Sequence, residues 1–164
     1  MLAAYLETMP EWATSGDRRY LEAMSDDRRR VLDEYVRWVP TLGSFTTFFT
    51  ATWSDAYAKD HRGLYGPRGA ARWTERFLDR LGYNGALVVS PEGHKWRDVY
   101  HVHGLTERVD WRRLHAAMRE ECGPGSLNIG RATAGAMAYA LKYTLKDDSE
   151  HIIIRRSERG GLVP

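Results

Sequence analysis

Between residues 44 and 131 the hydrophobic pattern switches back and forth between a strand period and a helix period, and the order of those switches constrains the fold most. Ser44–Trp53 sets Phe45, Phe49, Ala51 and Trp53 against Thr46, Thr50 and Thr52, the alternation of a half-buried strand. Residues 54–66 are polar and contain glycine, which reads as a loop. Pro67 suits a helix start, and Ala70, Trp73, Phe77, Leu78 and Leu81 then form a helical stripe closed by Gly82. Ala86–Ser90 is a short apolar strand ending at Pro91, Glu92–Asp98 a polar hairpin connection, and Val99–Thr106 a second strand. Asp110 caps a helix carrying Leu114, Ala117 and Met118, which stops at Gly123 and Pro124. Ser126–Arg131 is a further short strand, Thr133 caps a last helix over Ala134–Lys146, and Ile152–Arg155 adds a terminal strand. The central order β-α-β-β-α-β predicts an α+β fold of the ferredoxin-like or split-βαβ class, an antiparallel sheet with helices on one face.

Residues 1–43 read as a helical extension of that domain. Ser25 followed by Asp26 and Asp27 is a helix cap, and Val31, Leu32, Tyr35, Val36 and Val39 recur at helical spacing until Pro40 and Gly43. The domain itself is expected over 44–159, and 160–164 (GGLVP) reads as a tail left by an expression linker.

A chain of 164 residues that is 43% hydrophobic and 28% charged has the material for one folded core and is not a disordered polymer. No apolar run reaches the ~18–20 residues that span a bilayer, and Met1–Leu6 carries no basic residue of a secretory signal. The single cysteine, Cys122, excludes an intrachain disulfide and a multi-cysteine zinc site, so a cytoplasmic compartment is expected. Residues 1–43 sum to −2 and the remainder to +4, giving the net +2. That bias is too weak for a protein that coats nucleic acid non-specifically, so a nucleic-acid function has to rest on motifs.

Two motifs carry chemistry. In His101-Val-His103 the strand alternation puts both imidazoles on one face, with Cβ atoms roughly 6–7 Å apart, a span one metal ion bridges. Glu92, at the end of the preceding strand, is the candidate third ligand, with His94 in the turn as its rival. Imidazoles suit Mn, Fe, Ni, Co or Zn, and a carboxylate widens the choice toward Mn or Mg. The second motif is Tyr139-Ala-Leu-Lys142-Tyr143-Thr-Leu-Lys146. At ~100° per residue, Tyr139, Lys142, Tyr143 and Lys146 share a wedge about 100° wide, while Met137, Leu141 and Leu145 form the opposite, core-facing stripe. A phenol ionises near pH 10, and neighbouring cations lower the cost of its phenolate.

A strand with His-X-His, an acid beside it and a downstream helix with Tyr-x-x-Lys-Tyr resembles the HUH endonuclease superfamily, above all the two-tyrosine rolling-circle replication initiators of phages and plasmids. Three stretches carry the resemblance: Phe45–Trp53, Glu92 with Tyr100-His-Val-His-Gly-Leu105, and Tyr139–Lys146. The tyrosines follow the histidines, as in initiators and some transposases rather than relaxases; residues 1–43 have no counterpart.

The resemblance implies a divalent cation, Mn2+ or Mg2+, held by His101, His103 and Glu92, and attack of Tyr139 or Tyr143 on a scissile phosphate to leave a 5′-phosphotyrosine and a 3′-hydroxyl. Lys142 would stabilise the phenolate or the phosphate, and Lys146 would contact the strand backbone. Thr46, Thr50, Thr52 and Arg131 are candidate phosphate contacts, and Trp53 or Tyr57 a candidate stacking platform for an unpaired base. The implied partners are single-stranded DNA or an origin hairpin, with a helicase and polymerase of the host or element. A two-tyrosine transposase of the same superfamily and a non-catalytic ferredoxin-like nucleic-acid-binding module are the competing expectations.

Overall fold

The computed structural model describes residues 1–61, 64, 66–93, 99–122, 126–142 and 152–156. Among these, α1 (Leu2–Glu7), α2 (Ser15–Glu22) and α3 (Asp26–Trp38) precede β1 (Thr47–Thr52). There follow α4 (Asp55–Asp60), α5 (Pro67–Arg80), β2 (Leu87–Gly93), β3 (Tyr100–Thr106), α6 (Trp111–Cys122), β4 (Ser126–Arg131), α7 (Ala134–Leu141) and β5 (Ile153–Arg155). The five strands form one sheet in the order β4-β1-β3-β2-β5, every pair antiparallel. This is an α+β fold of ferredoxin-like arrangement, with β5 added at one edge.

Alternation divides the sheet into two faces. Phe49, Ala51, Leu87, Val89 and Val102 point to one side and share a buried core with Ala70, Phe77 and Leu78 of α5 and Leu114 and Met118 of α6. The two crossover helices of the split-βαβ unit therefore lie on one face, as the pattern predicts. Phe48, Val88 and Leu105 point to the other side, where they are buried with Tyr5, Leu21, Leu32 and Val36 of α1–α3 and with Met137, Tyr139 and Leu141 of α7. The N-terminal helices are thus a third layer sharing a core with the sheet.

Local differences from the sequence expectation have local causes. Strand β1 is shorter than Ser44–Trp53, beginning at Thr47. Strand β2 runs on through Pro91 to Gly93, so Glu92 lies in a strand opposite His101 and not in the connection. Proline is tolerated there because, among the described residues, β5 pairs with Leu87–Val89 alone and the outer side of β2 beyond Val89 is an edge. The loop expected over 54–66 contains α4, too short to show a hydrophobic period and started by Ser54, whose hydroxyl accepts from Tyr57 N.

Helix α7 ends at Leu141 with Lys142 as its cap, short of the expected Lys146, and residues 143–150 lie outside the described residues. It is also not two-faced: Gly135 through Leu141 are all buried, and so is Lys142. The reading of Tyr139 and Lys142 as the polar side of an amphipathic helix is corrected by this. The sheet covers one side of α7 and α1–α3 cover the other.

Two glycines make these close approaches possible. A Cβ on Gly104 would lie 2.1 Å from the ring of its cross-strand partner Phe49, so the phenyl fills the space a side chain would take. A Cβ on Gly135 would lie 2.3 Å from Tyr5 O and 2.4 Å from Met9 N, both backbone atoms at the end of α1. The same junction is fastened by Gly135 N donating to Thr8 Oγ1 at 2.9 Å and Thr133 Oγ1 donating to Thr8 O at 2.5 Å. Because no side chain can move aside there, Gly135→Ala is expected to destabilise the fold by about 1–3 kcal/mol, read as a lowered urea midpoint.

Candidate metal centre and tyrosine helix

The register of three strands builds the centre. Thr50 of β1 and Ser90 of β2 flank His103 of β3, and Thr52 and Glu92 flank His101 in the same way, all on the face that α7 covers. His101 Nε2 and His103 Nε2 both lie 2.8 Å from the same atom, Glu92 Oε2. An ionised carboxylate only accepts, so each imidazole presents an N–H to it. The three donor atoms lie within 4.8 Å of one another. His103 is wholly buried, whereas the side chains of His101 and Glu92 are each 18% exposed, which opens the cluster to solvent on the His101 side.

Burial alone would raise the Glu92 carboxyl, but the hydrogen bonds from His101 and His103 outweigh it and hold the group well below the ordinary carboxylate range. Burial lowers His103 to about 4, so its ring is neutral at pH 7. Two imidazoles and a carboxylate, all converging on one point, are a donor set for a divalent cation such as Mn2+, Mg2+ or Zn2+. The residues present therefore fit the metal that the sequence motif implies. Glu92, the candidate third ligand, lies beside both histidines; its rival His94 lies outside the described residues.

The outer nitrogen of His103 is engaged as well. Thr50 Oγ1 lies 2.9 Å from His103 Nδ1 and accepts from Trp12 Nε1 at 3.3 Å. Trp12 is itself stacked on Phe48, with ring centroids 5.7 Å apart and planes 4° from parallel.

Helix α7 meets the centre through Tyr139. Its ring stands edge-on to that of His103, with centroids 4.8 Å apart at 80°, and edge-on to Phe48 at 5.9 Å. Burial pushes the Tyr139 phenol above its ordinary range, and the charges of Asp17 and Glu92 add to the shift. Lys142 Nζ lies 3.6 Å from the centroid of the same ring and is ion-paired with Asp17 of α2. Asp17 divides its two oxygens: Oδ1 takes Lys142, and Oδ2 accepts from Thr14 N at 2.8 Å and Thr14 Oγ1 at 2.7 Å in a capping box. Burial works against the Asp17 charge, yet the bonds from Lys142 and Thr14 leave its pKa lowered.

The structure therefore brings together Glu92, His101, His103, Thr50, Thr52, Tyr139 and Lys142. It separates Trp53, which is fully buried on the opposite face in edge contact with Trp73 and offers no platform for a base. Thr50 faces His103 rather than solvent, and Lys142 is enclosed rather than presented to a phosphate. Thr46 and Arg131 are exposed near the far ends of β1 and β4, and Tyr57 stacks on His61 with centroids 3.8 Å apart. Tyr143 and Lys146 lie outside the described residues. Sequence reasoning missed Trp12 and Asp17. The Thr14-Ser-Gly-Asp17 capping box was visible as a motif, but nothing local marks the second oxygen of Asp17 as the partner of a lysine far along the chain.

The chain matches no protein-family model, no curated protein and no solved structure.

Two stability effects follow from this geometry. Replacing Asp17 with Asn removes the negative charge facing the enclosed Lys142 ammonium and is expected to cost on the order of 3–5 kcal/mol. Lys142→Met should cost less, because Asp17 keeps its bonds to Thr14; urea unfolding of the two variants measures the difference. In metal-free protein, the unfolded chain binds a proton at His103 below 6.5 that the folded chain refuses until about 4. Stability should therefore fall as pH drops through that window, with Glu92 extending the loss at lower pH, and His103→Gln should flatten the slope between 6.5 and 4.

Proposed function

We propose that the chain is a metal-dependent, single-strand DNA endonuclease and strand transferase that works through a phosphotyrosine, as the HUH resemblance implies. The observation that carries this reading is the edge contact between Tyr139 and His103, which puts the tyrosine helix on the same sheet face as the His-Glu cluster. His101, His103 and Glu92 would hold the cation. When bound, the cation supplies charge neutralisation and orientation for a scissile phosphate.

The chain's own residues account for the rest of the proposed site. A tyrosine phenol forms the new bond to phosphorus while the bond from phosphorus to the 3′-oxygen breaks, leaving a 5′-phosphotyrosine and a 3′-hydroxyl that takes up a proton. Lys142, at the face of the Tyr139 ring, favours negative charge on that ring and acts through the tyrosine rather than on the strand. Asp17 fixes Lys142 there. Tyr139 and Tyr143 share the nucleophile role in either order. Thr52, beside His101 on the half-exposed side of the cluster, is the best placed of the predicted strand contacts.

The competing binding module, which reads bases with aromatic side chains on an open sheet, is disfavoured by the packing. Phe48 and Phe49 point to opposite faces and are both buried.

The test is incubation with a randomised pool of 3′-labelled single strands in Mn2+, followed by a denaturing protein gel. A labelled band at the mass of the chain plus DNA is expected, absent in chelator and in the Tyr139→Phe/Tyr143→Phe double variant. An undiminished band in the double variant, or strands bound but never linked by the wild-type chain, would reject the reading.

A further inference from the structure

We infer that Thr50, held in place by Trp12 of the N-terminal helical segment, is a positioning residue that lets His103 change from hydrogen-bond donor to metal ligand; this rests on the reading of Glu92, His101 and His103 as ligands. A neutral imidazole carries a single N–H. With Nε2 at 2.8 Å from the Glu92 carboxylate, that proton sits on Nε2, and Thr50 donates its hydroxyl proton to the Nδ1 lone pair at 2.9 Å. An ion at Nε2 needs the lone pair there, so the ring proton must be carried by Nδ1 instead. It then needs an acceptor inside a fully buried pocket.

Only a group that both donates and accepts serves His103 in the two states. A carbonyl would suit the metal-bound ring alone, and an N–H the metal-free ring alone. The Thr50 hydroxyl does both by rotating about its C–O bond, with no movement of the oxygen.

Trp12 keeps that oxygen in position. Its indole N–H is a donor in every state and occupies one lone pair of Thr50 Oγ1, at 3.3 Å. One lone pair and one proton remain for His103, which is what the exchange uses. The indole is fixed by its parallel stack on Phe48 and by the bare Cα of Gly130, where a Cβ would lie 2.9 Å from the Trp12 ring. Phe48 in turn lies against the His103 ring, with centroids 6.2 Å apart. The N-terminal segment thus supplies the outer support of a ligand on the central strand, a role for which sequence position gives no hint.

The experiment is calorimetric titration of Mn2+ into the full chain and its variants, with 15N NMR of the histidine rings during titration with diamagnetic Zn2+. Thr50→Val keeps the side-chain shape and is expected to weaken Mn2+ binding roughly 10–100-fold. Thr50→Ser should restore it, and Trp12→Phe, which keeps the stack but removes the N–H, should fall between. In the wild-type chain the His103 proton is expected on Nε2 before Zn2+ and on Nδ1 after it. Thr50→Val binding Mn2+ as tightly as wild type, or a His103 proton that stays on Nε2 in saturating Zn2+, overturns the inference. A wild-type chain that binds neither ion overturns it together with the metal-centre reading. Loss of DNA linkage with these metal results intact would reject the nuclease reading alone. Thr50→Ser and Trp12→Phe keep the comparison decisive if the valine variant does not fold.

Discussion

Everything at the centre depends on the register of β3 between its two neighbours. Antiparallel pairing sets Thr50 and Ser90 beside His103, and Thr52 and Glu92 beside His101. A one-residue slip of β3 would carry both imidazoles to the face packed by α5 and α6 and put Val102 and Gly104 in their place. That slip is opposed on both sides at once. Val102 is buried in the α5/α6 core, and Gly104 is the one position on the strand where the Phe49 ring finds room. The apolar packing on one face therefore determines the placement of the polar cluster on the other.

The second constraint comes from the ends of the described fold. Helix α7 lies between the sheet and α1–α3, and its cap, Lys142, is held in an ion pair with Asp17. Such a pair adds little net stability over an apolar substitute, since the ammonium is stripped of water and the carboxylate keeps only part of its own. What it adds is orientation: the ammonium is fixed over the Tyr139 ring, and that ring is fixed against His103. A chain of contacts from α2 to the central strand thus passes through one lysine and one tyrosine.

Much of this architecture was legible in the sequence, because it rests on local signals. The alternation of hydrophobic period places the central strands and both crossover helices, and the caps at Ser25, Asp110 and Thr133 mark helix starts to the residue. The convergence of Glu92, His101 and His103 was legible for the same reason, since a hairpin pairs residues close in sequence. Other features depend on partners far along the chain. The burial of Lys142 contradicts every local rule for a lysine beside tyrosines on a helix, and it is made possible by a carboxylate 125 positions earlier. Trp53 lies one residue past the end of β1 on the side alternation gives it, yet alternation does not reveal that α5 will cover that face. Strand β2 outran its expected end because proline is excluded only where a neighbour needs its missing N–H.

The layering has a consequence for how the chain comes together. Segments α1–α3 are synthesised before the groups they support, from His103 to Lys142. Helix α1 closes on Gly135, so a nascent chain that has not yet reached α7 has a half-covered sheet face and a Tyr5–Met9 end with nothing to dock against. Contacts of such long sequence separation form late and make folding slow relative to the local hairpin of β2 and β3. The imidazole–carboxylate cluster can therefore assemble before the phenol arrives, and the two halves of the site become one only when the opening and closing segments of the fold meet.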